Sequence, residues 1–517
     1  MNLSYVAVRH GGLPKRYAQA RGPKYMQTRV VNIPMRCNLI CLVLFSSLTY
    51  CFSQSHVEEQ VLRVVNGLRP PVAVKARPVV RWTLEARMKA LHVPSVSIAV
   101  IDAGRTVWAR GFGVMEAGSS DTVTSETLFQ AQSISKSVSA TAALRLIDAG
   151  MISLDQAINK HLKSWKLPEN EFTRQRKVTL RGILSHSAGI TVSGFPGYRL
   201  GDSIPSLVQI LEGTSPANTP PIRIDTIPGS ISRYSGGGYT VMQQLLQDMT
   251  GESFPALMNR LVLKPCNMEL STFEQPLPRF LWSQAACGHD AAGRPMKGCW
   301  PIQPEMAAAG LWTTPTDLAK WVLMIARAYE GLPNSLISKS TVTEMLTIQK
   351  TPFGLGLVLN EGDTTFSFGH SGANLGFRAE FLYFPVVRKG AVVMTNADLG
   401  GYLIGEIFAA LATEYNWPGR KQTERTALNL DEQGIEELVG EYSTPGPFGK
   451  PIIYEITTIE GRLFAELKGF SPKLELFAST RDSLFSSSGY EVFISRDESG
   501  RAVKVLLGGQ VEVKRIR

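Results

Sequence analysis

Two blocks of strand-forming sequence stand far apart in this chain, and closing one sheet from both is the strongest constraint on its fold. Val96-Ser97-Ile98-Ala99-Val100-Ile101 and Thr106-Val107-Trp108-Ala109-Arg110 flank the turn Asp102-Ala103-Gly104, which reads as a β-hairpin. The second block runs through Gly354–Leu359, Thr364–Gly369, Phe377–Phe384 and Ala391–Thr395, with residues of alternating character and turns between them. The sequence between the blocks keeps a mostly helical period. It includes a Thr83-capped helix just before the hairpin and a helix with Val138, Ala142, Leu146 and Ile147 on one face, stopped by Gly150. This order predicts an α/β (α+β) domain over residues 80–416: a mainly antiparallel sheet flanked by helices, with a helical subdomain inserted between strands. The helix Leu403–Tyr415 closes it, and Leu154–Leu162 continues helical spacing within it.

Residues 56–79, with Pro70, Pro71 and Pro78, read as an extended linker, and 417–434 as a polar one. From 435 to 517, short apolar runs separated by turns at Glu460-Gly461, Ser499-Gly500 and Gly508-Gly509 predict a separate antiparallel, barrel-like β-domain. No solenoid repeat is present in the sequence.

Residues 1–55 read as a leader. Arg9, Lys15, Arg16, Arg21, Lys24, Arg29 and Arg36 lie there without any Asp or Glu, so removing these seven charges from the formal +10 leaves +3. The basic excess is therefore no argument for nucleic-acid binding. The apolar run Leu39–Tyr50 is too short to span a bilayer and well sized for a signal-peptide core, with cleavage expected near Ser55. Export to a periplasmic or extracellular location follows as the expectation. Met35 is an alternative start, an organelle transit peptide is the second reading, and Leu48-Thr49-Tyr50-Cys51 gives a lipid anchor as the minority one. Past the leader only Cys266, Cys287 and Cys299 remain, without metal-binding spacing. Cys287 and Cys299 flank the turn region Gly288–Gly298, and are either disulfide-bonded across a hairpin or unpaired buried thiols.

Chemistry concentrates at Phe129-Gln130-Ala131-Gln132-Ser133-Ile134-Ser135-Lys136, a loop entering a helix, and the chain holds no other Ser-x-x-Lys. Three residues apart on a helix, the Lys136 ammonium and the Ser133 hydroxyl share one face, which is a nucleophile with its own electrostatic activator. Within Thr179–Gly189, a capped short helix entering a turn, His186 is either a general base or a core or loop-bracing histidine. Residues 193–233, rich in Gly, Pro and Ser, form a long loop of the kind that walls or covers a pocket. They lead to Tyr234-Ser235-Gly236-Gly237-Gly238-Tyr239, where glycines allow close backbone turns before a helix. Ala307-Ala308-Ala309-Gly310 implies close packing of elements, and Gly369-His370-Ser371-Gly372-Ala373-Asn374 joins two of the late strands.

Taken in order, Ser133/Lys136, Tyr234 and His370-Ser371-Gly372 resemble the signature set of the serine β-lactamase and penicillin-binding protein superfamily. The similarity is greatest to its class C-like branch, which includes D-alanyl-D-alanine carboxypeptidases, D-aminopeptidases and family VIII carboxylesterases, and it covers about residues 80–416. It implies that Ser133 forms an acyl-enzyme, that Lys136 stabilises charge on the Ser133 and Tyr234 oxygens, and that Tyr234 shuttles the proton. It further implies an oxyanion hole from the backbone N–H groups of Ser133 and Ala373, substrate contacts from His370, Ser371, Gly372 and Gly236, and neither metal nor organic cofactor. Where many β-lactamases carry Lys-Thr-Gly this chain has His370-Ser371-Gly372, a mostly neutral imidazole in place of a cation, which predicts weak β-lactam hydrolysis. Tyr234-Ser235-Gly236 also lacks the Asn of the usual Tyr-x-Asn.

The reading is an exported serine hydrolase of an ester, amide or D-amino-acid peptide bond. A catalytically silent penicillin-binding-like sensor and a true β-lactamase are the alternatives. The expected partner is a small-molecule substrate, with no nucleic acid, and a membrane only through the Cys51 anchor. The sequence gives no oligomeric state.

Overall fold

The computed structural model describes residues 55–445, 451–509 and 511–516. The leader up to residue 54, including Cys51 and the alternative start at Met35, lies outside the described residues. From Val57 onward the chain forms one contact unit.

The lead-in is not simply extended. Residues 57–65 are helical, because Val61, Val64 and Leu68 share a face that is buried in a core, and only the Pro70-Pro71 region breaks the pattern. Strand β1 (Val72–Val74) follows and pairs in parallel with the much later β10 (Thr423–Arg425). Helix α1 (Leu84–Ala90) begins where Thr83 accepts the Ala86 N–H at 3.1 Å.

Strands β2 (Ser95–Asp102) and β3 (Arg105–Gly113) form the early hairpin, turned by Ala103 and Gly104, both at positive φ. Strand β4 (Phe129–Gln130) leads into the long helix α2 (Ile134–Asp148). The expected helix at 154–162 shrinks to one 3₁₀ turn, Ile158–Lys160. Its backbone is diverted outward: Ile158 N–H bonds Val178, Ala157 bridges Thr179, and Leu154 accepts from Arg181. Helix α3 (Leu180–Leu184) starts with Thr179 accepting the Gly182 N–H. The long 193–233 loop carries its own short helix, α4 (Leu207–Glu212), before α5 (Gly236–Thr250). Helix α6 (Met306–Ala309), β5 (Trp312–Thr313) and α7 (Pro315–Glu330) come next.

The late strands β6 (Val358–Asn360), β7 (Ser367–Asn374), β8 (Phe377–Phe384) and β9 (Lys389–Thr395) join the early hairpin in one six-stranded sheet, ordered β3-β2-β9-β8-β7-β6. Every neighbouring pair is antiparallel, and β2 meets β9 from Val96↔Thr395 to Ile101↔Gly390. The sheet is buried on both faces. Ala99 and Ile101 point into a large core around α2 and the helical subdomain, while Val96, Ile98 and Val100 point into a second core under α1 and α8 (Gly400–Glu414). Trp417, fully buried against Phe384 and Phe408, closes that second core.

Beyond the linker, eight antiparallel strands between Gly440 and Arg515 form a closed barrel, β11 to β18, the last pairing with the first at Tyr442↔Arg515. Its interior is filled by side chains such as Tyr442, Ile456, Leu484, Val492 and Val505. Cys287 and Cys299 are disulfide-bonded, and Cys266 is a free buried thiol.

Candidate active site

The β4–β5 pair holds the approach to Ser133, with Ala131 N–H bonded to Leu311 at 2.9 Å. Gln132 then takes φ +50, a left-handed conformation that costs a non-glycine residue energy and that surrounding structure must enforce. That kink puts Ser133 at the N-cap of α2, immediately before its first residue Ile134 and at the positive end of a 15-residue helix. The sequence fixes this start with small polar side chains: Ser135 Oγ accepts the Leu311 N–H, and Ser137 Oγ donates to Gly356 at 2.6 Å.

Lys136 is only 2% exposed. Its Nζ donates to Ser133 Oγ at 3.0 Å and to the Ala308 carbonyl at 2.8 Å, and lies 4.9 Å from the centroid of the Tyr234 ring. No carboxylate forms an ion pair with it among the described residues. An ammonium buried with oxygen dipoles alone favours any anion that forms beside it, and the nearest such oxygen is that of Ser133. Ala308 enters the site through its carbonyl, on α6. The only sequence signal for it was the run of alanines there.

Tyr234 reaches the same place from the start of α5. Ser235 caps that helix by accepting the Gly238 N–H, and a Cβ on Gly236 would press on the Phe195 ring at 3.0 Å, so the glycine lets the 193–233 loop lie close. The Tyr234 hydroxyl makes no hydrogen bond to Ser133 or Lys136 among the described residues; the ring is placed instead by His186, with centroids 4.3 Å apart. His186 sits at φ +55, buried, with Nδ1 accepting the Ser235 N–H at 3.1 Å. Burial, then the charge of Lys136, holds its pKa well below the ordinary histidine value. Of the two sequence readings for His186, the geometry is that of the loop brace.

Strand β7 closes the opposite side. The outer edge of β7 is covered by β6 only over Ser367–Gly369, which leaves His370–Asn374 beside the loop that leads to Ser133. A Cβ on Gly372 would collide with the Ala131 carbonyl oxygen, so glycine is what lets β7 approach the segment preceding Ser133. Ser371 and Ala373 are exposed on this edge, and Asn374 donates to the Phe195 carbonyl at 3.1 Å. His370 is 6% exposed, with Nδ1 donating to the Ser371 carbonyl at 2.7 Å. Burial and then Lys136 lower its pKa to about 4, so the imidazole is neutral near pH 7.

Two buried polar residues escaped the sequence reading. Glu305, just before α6, is fully buried with both carboxylate oxygens unpartnered among the described residues, and burial raises its pKa to about 8. Gln132 is equally buried with its carbonyl oxygen unpartnered. Glu116, Cys287 and Cys299 bring ligand-type atoms within 4.8 Å of one another, but both sulfurs are spent in the disulfide.

Comparison with known proteins reaches the same region of the chain. Residues 80–412, more than half of the sequence, match the Beta-lactamase family. The chain belongs to the β-lactamase family. Among curated relatives, penicillin-binding protein 4 of Amycolatopsis lactamdurans is 23% identical over 374 residues, covering 69% of this chain and 94% of that protein. Protein flp of Staphylococcus aureus (strain MW2) is 24% identical over 331 residues, covering 61% of this chain and 62% of flp, less than two thirds of its length. Among solved structures, the octameric penicillin-binding protein homologue from Pyrococcus abyssi aligns with a TM-score of 0.58 at 23% identity, over 83% of this chain and 98% of that one. D-alanine carboxypeptidase AmpC from Burkholderia cenocepacia aligns with a TM-score of 0.50 at 18% identity, over 63% of this chain and 97% of that one. These likenesses establish the fold of this β-lactamase-family protein.

Proposed function

We propose that this β-lactamase-family protein is a serine hydrolase that cleaves an ester, amide or D-amino-acid peptide bond through an acyl-enzyme on Ser133. The observation that carries the reading is the buried Lys136 ammonium, hydrogen-bonded to Ser133 Oγ at 3.0 Å and free of any carboxylate partner among the described residues. Beside it, Tyr234 takes the Ser133 proton as Oγ attacks the substrate carbonyl, and passes it to the leaving group as the tetrahedral intermediate collapses. A water activated by Tyr234 then releases the acyl group. The N–H groups of Ser133, at the head of α2, and of Ala373, on the open edge of β7, receive the oxyanion, with Ser371, Gly372 and Gly236 lining the substrate's path.

Substrate class follows from His370. A neutral imidazole offers no fixed positive charge to a substrate carboxylate, which favours esters and amides without an anionic group at that end over β-lactams and C-terminal peptides. The Cys287–Cys299 pair supports an oxidising compartment, and hence the export inferred from the leader. Stoichiometric labelling of Ser133 by a fluorophosphonate, located by peptide mass, tests the acyl-enzyme; absence of labelling in folded protein favours the silent sensor instead. A panel of p-nitrophenyl esters, D-amino-acid p-nitroanilides and a chromogenic cephalosporin tests the substrate class, and fastest turnover of the cephalosporin would reverse it.

A further inference from the structure

Behind the turn that braces Tyr234 lies a cavity of about 390 Å³ containing none of the residues assigned above to catalysis. Its floor includes Ser185 and Ser187, the residues on either side of His186: Ser185 Oγ donates to the Arg181 carbonyl at 2.8 Å and lies 3.0 Å from Ser187 Oγ, from which it accepts. Its rim is cationic, carrying Arg176, Lys177, Arg181 and Lys350.

The charges do not cancel. Arg181 is neutralised by a bidentate bond to Asp155, at 2.7 and 2.9 Å, and by Glu344 at 2.7 Å. Lys177 pairs with Glu169 at 2.9 Å. Lys350, by contrast, donates only to the carbonyls of Gly229 and Ser230, at 3.3 and 3.2 Å, and Arg176 has no ion pair among the described residues. Arg176 lies beside Gly229, with its guanidinium where a Cβ on that glycine would stand. Two cations without counter-charges among the described residues, one hydroxyl donor at Ser187 and a volume well beyond that of a bare oxyanion define both the charge and the size of an occupant.

We propose that this cavity is a binding site for a small organic dianion, a phosphomonoester or a dicarboxylate, held by Arg176 and Lys350. The guanidinium fork and the ammonium receive the anionic oxygens, the Ser187 hydroxyl turns from Ser185 to donate to one that remains, and Ala188 and Pro228 face the organic part.

The test is calorimetric titration of the full chain with phenyl phosphate and, separately, with succinate; the arm that binds more tightly names the anionic group. Saturable one-to-one binding by at least one probe, weakened at least tenfold in both Arg176→Glu and Lys350→Glu, is the expected result. Arg176 is exposed, so that variant is expected to fold, which a thermal unfolding curve verifies. Failure of both probes to bind, or binding unchanged in the charge-reversed variants, overturns the proposal. Titration of protein with Ser133 blocked by a fluorophosphonate locates the site: unchanged affinity supports the cavity, whereas lost affinity places the anion in the catalytic cleft and overturns it.

Discussion

Lys136 and Glu305 are buried ionisable residues that form no ion pair among the described residues, each for a different reason. Lys136 is within reach of the Ser133 oxygen, where, in the proposed mechanism, its charge meets the negative charge that develops. Removing it leaves that charge poorly stabilised, so Lys136→Ala, Tyr234→Phe and Ser133→Ala are each expected to lower kcat on a reactive ester by on the order of 10²-fold or more, with thermal unfolding little changed. Double variants should fall far short of the product of the single effects, because the three act as one unit. Near-wild-type turnover in Lys136→Ala or Tyr234→Phe would sink the mechanism. His370→Ala is expected to be milder and to change substrate preference, since the imidazole is already neutral at working pH. Glu305 has only the protonated form as its comfortable state. Its folded pKa of about 8 stands above the ordinary carboxyl value of 4.5, so its contribution to stability is full below pH 4.5 and lost as pH rises through 8. Glu305→Gln copies the protonated shape and cannot ionise, so its melting temperature should exceed the parent's at pH 9 and match it at pH 4. Equal melting at pH 9 would show that the ionised carboxyl finds a partner.

At the scale of elements, the proposed catalytic geometry rests on how closely β7 approaches the loop entering α2. Gly372 is the contact point, and Gly372→Ala forces its Cβ against the Ala131 carbonyl, shifting β7 or Ser133. Because displacements near 1 Å can cost about 10²-fold in rate, kcat is expected to fall by at least about tenfold in protein whose circular dichroism is unchanged. Full activity in the folded variant would mean that the strand and the loop are not geometrically coupled. The same elements show what sequence can reveal. The hairpin around Asp102-Ala103-Gly104, the Thr83 and Thr179 caps and the stop at Gly150 are local signals, and the chain follows them. Residues 57–65 are helical despite the prolines that follow, because burial of Val61 and Val64 decides the matter through contacts distant in sequence. The helix expected at 154–162 fails for the same kind of reason, since residues 178–181 take its backbone bonds. Within the site, Ser133, Lys136 and Tyr234 were legible because side-chain chemistry marks them. The Ala308 carbonyl was not, because a backbone group leaves no mark in composition, and nothing in the sequence around Glu305 sets it apart from other carboxylates.

At the scale of the whole molecule, the question is what the barrel adds. Its attachments run to the far side of the second core: Val72 N–H bonds Ser487 at 3.0 Å, Arg425 pairs with Glu491 at 2.8 Å, and Arg77 with Glu475 at 3.6 Å. None of the hydrogen bonds or ring contacts that position Ser133, Lys136, Tyr234 and His370 involves a barrel residue among the described residues. The two cores that flank the sheet are complete once Trp417 is in place, and the short parallel pair of β1 and β10 ends at Arg425. A cut directly after Tyr415 would strip Trp417 from the second core and unfold the sheet for reasons unrelated to the barrel, so the informative truncation ends at Ala427. That protein is expected to lose some stability, through the exposure of surface on β1 and the linker, and to keep acylation of Ser133 by a fluorophosphonate at a rate within about tenfold of the full chain. A truncated protein with native-like circular dichroism and cooperative unfolding, yet no acylation, would show that the barrel completes the pocket, and the catalytic unit would then have to be drawn to include residues 440–516.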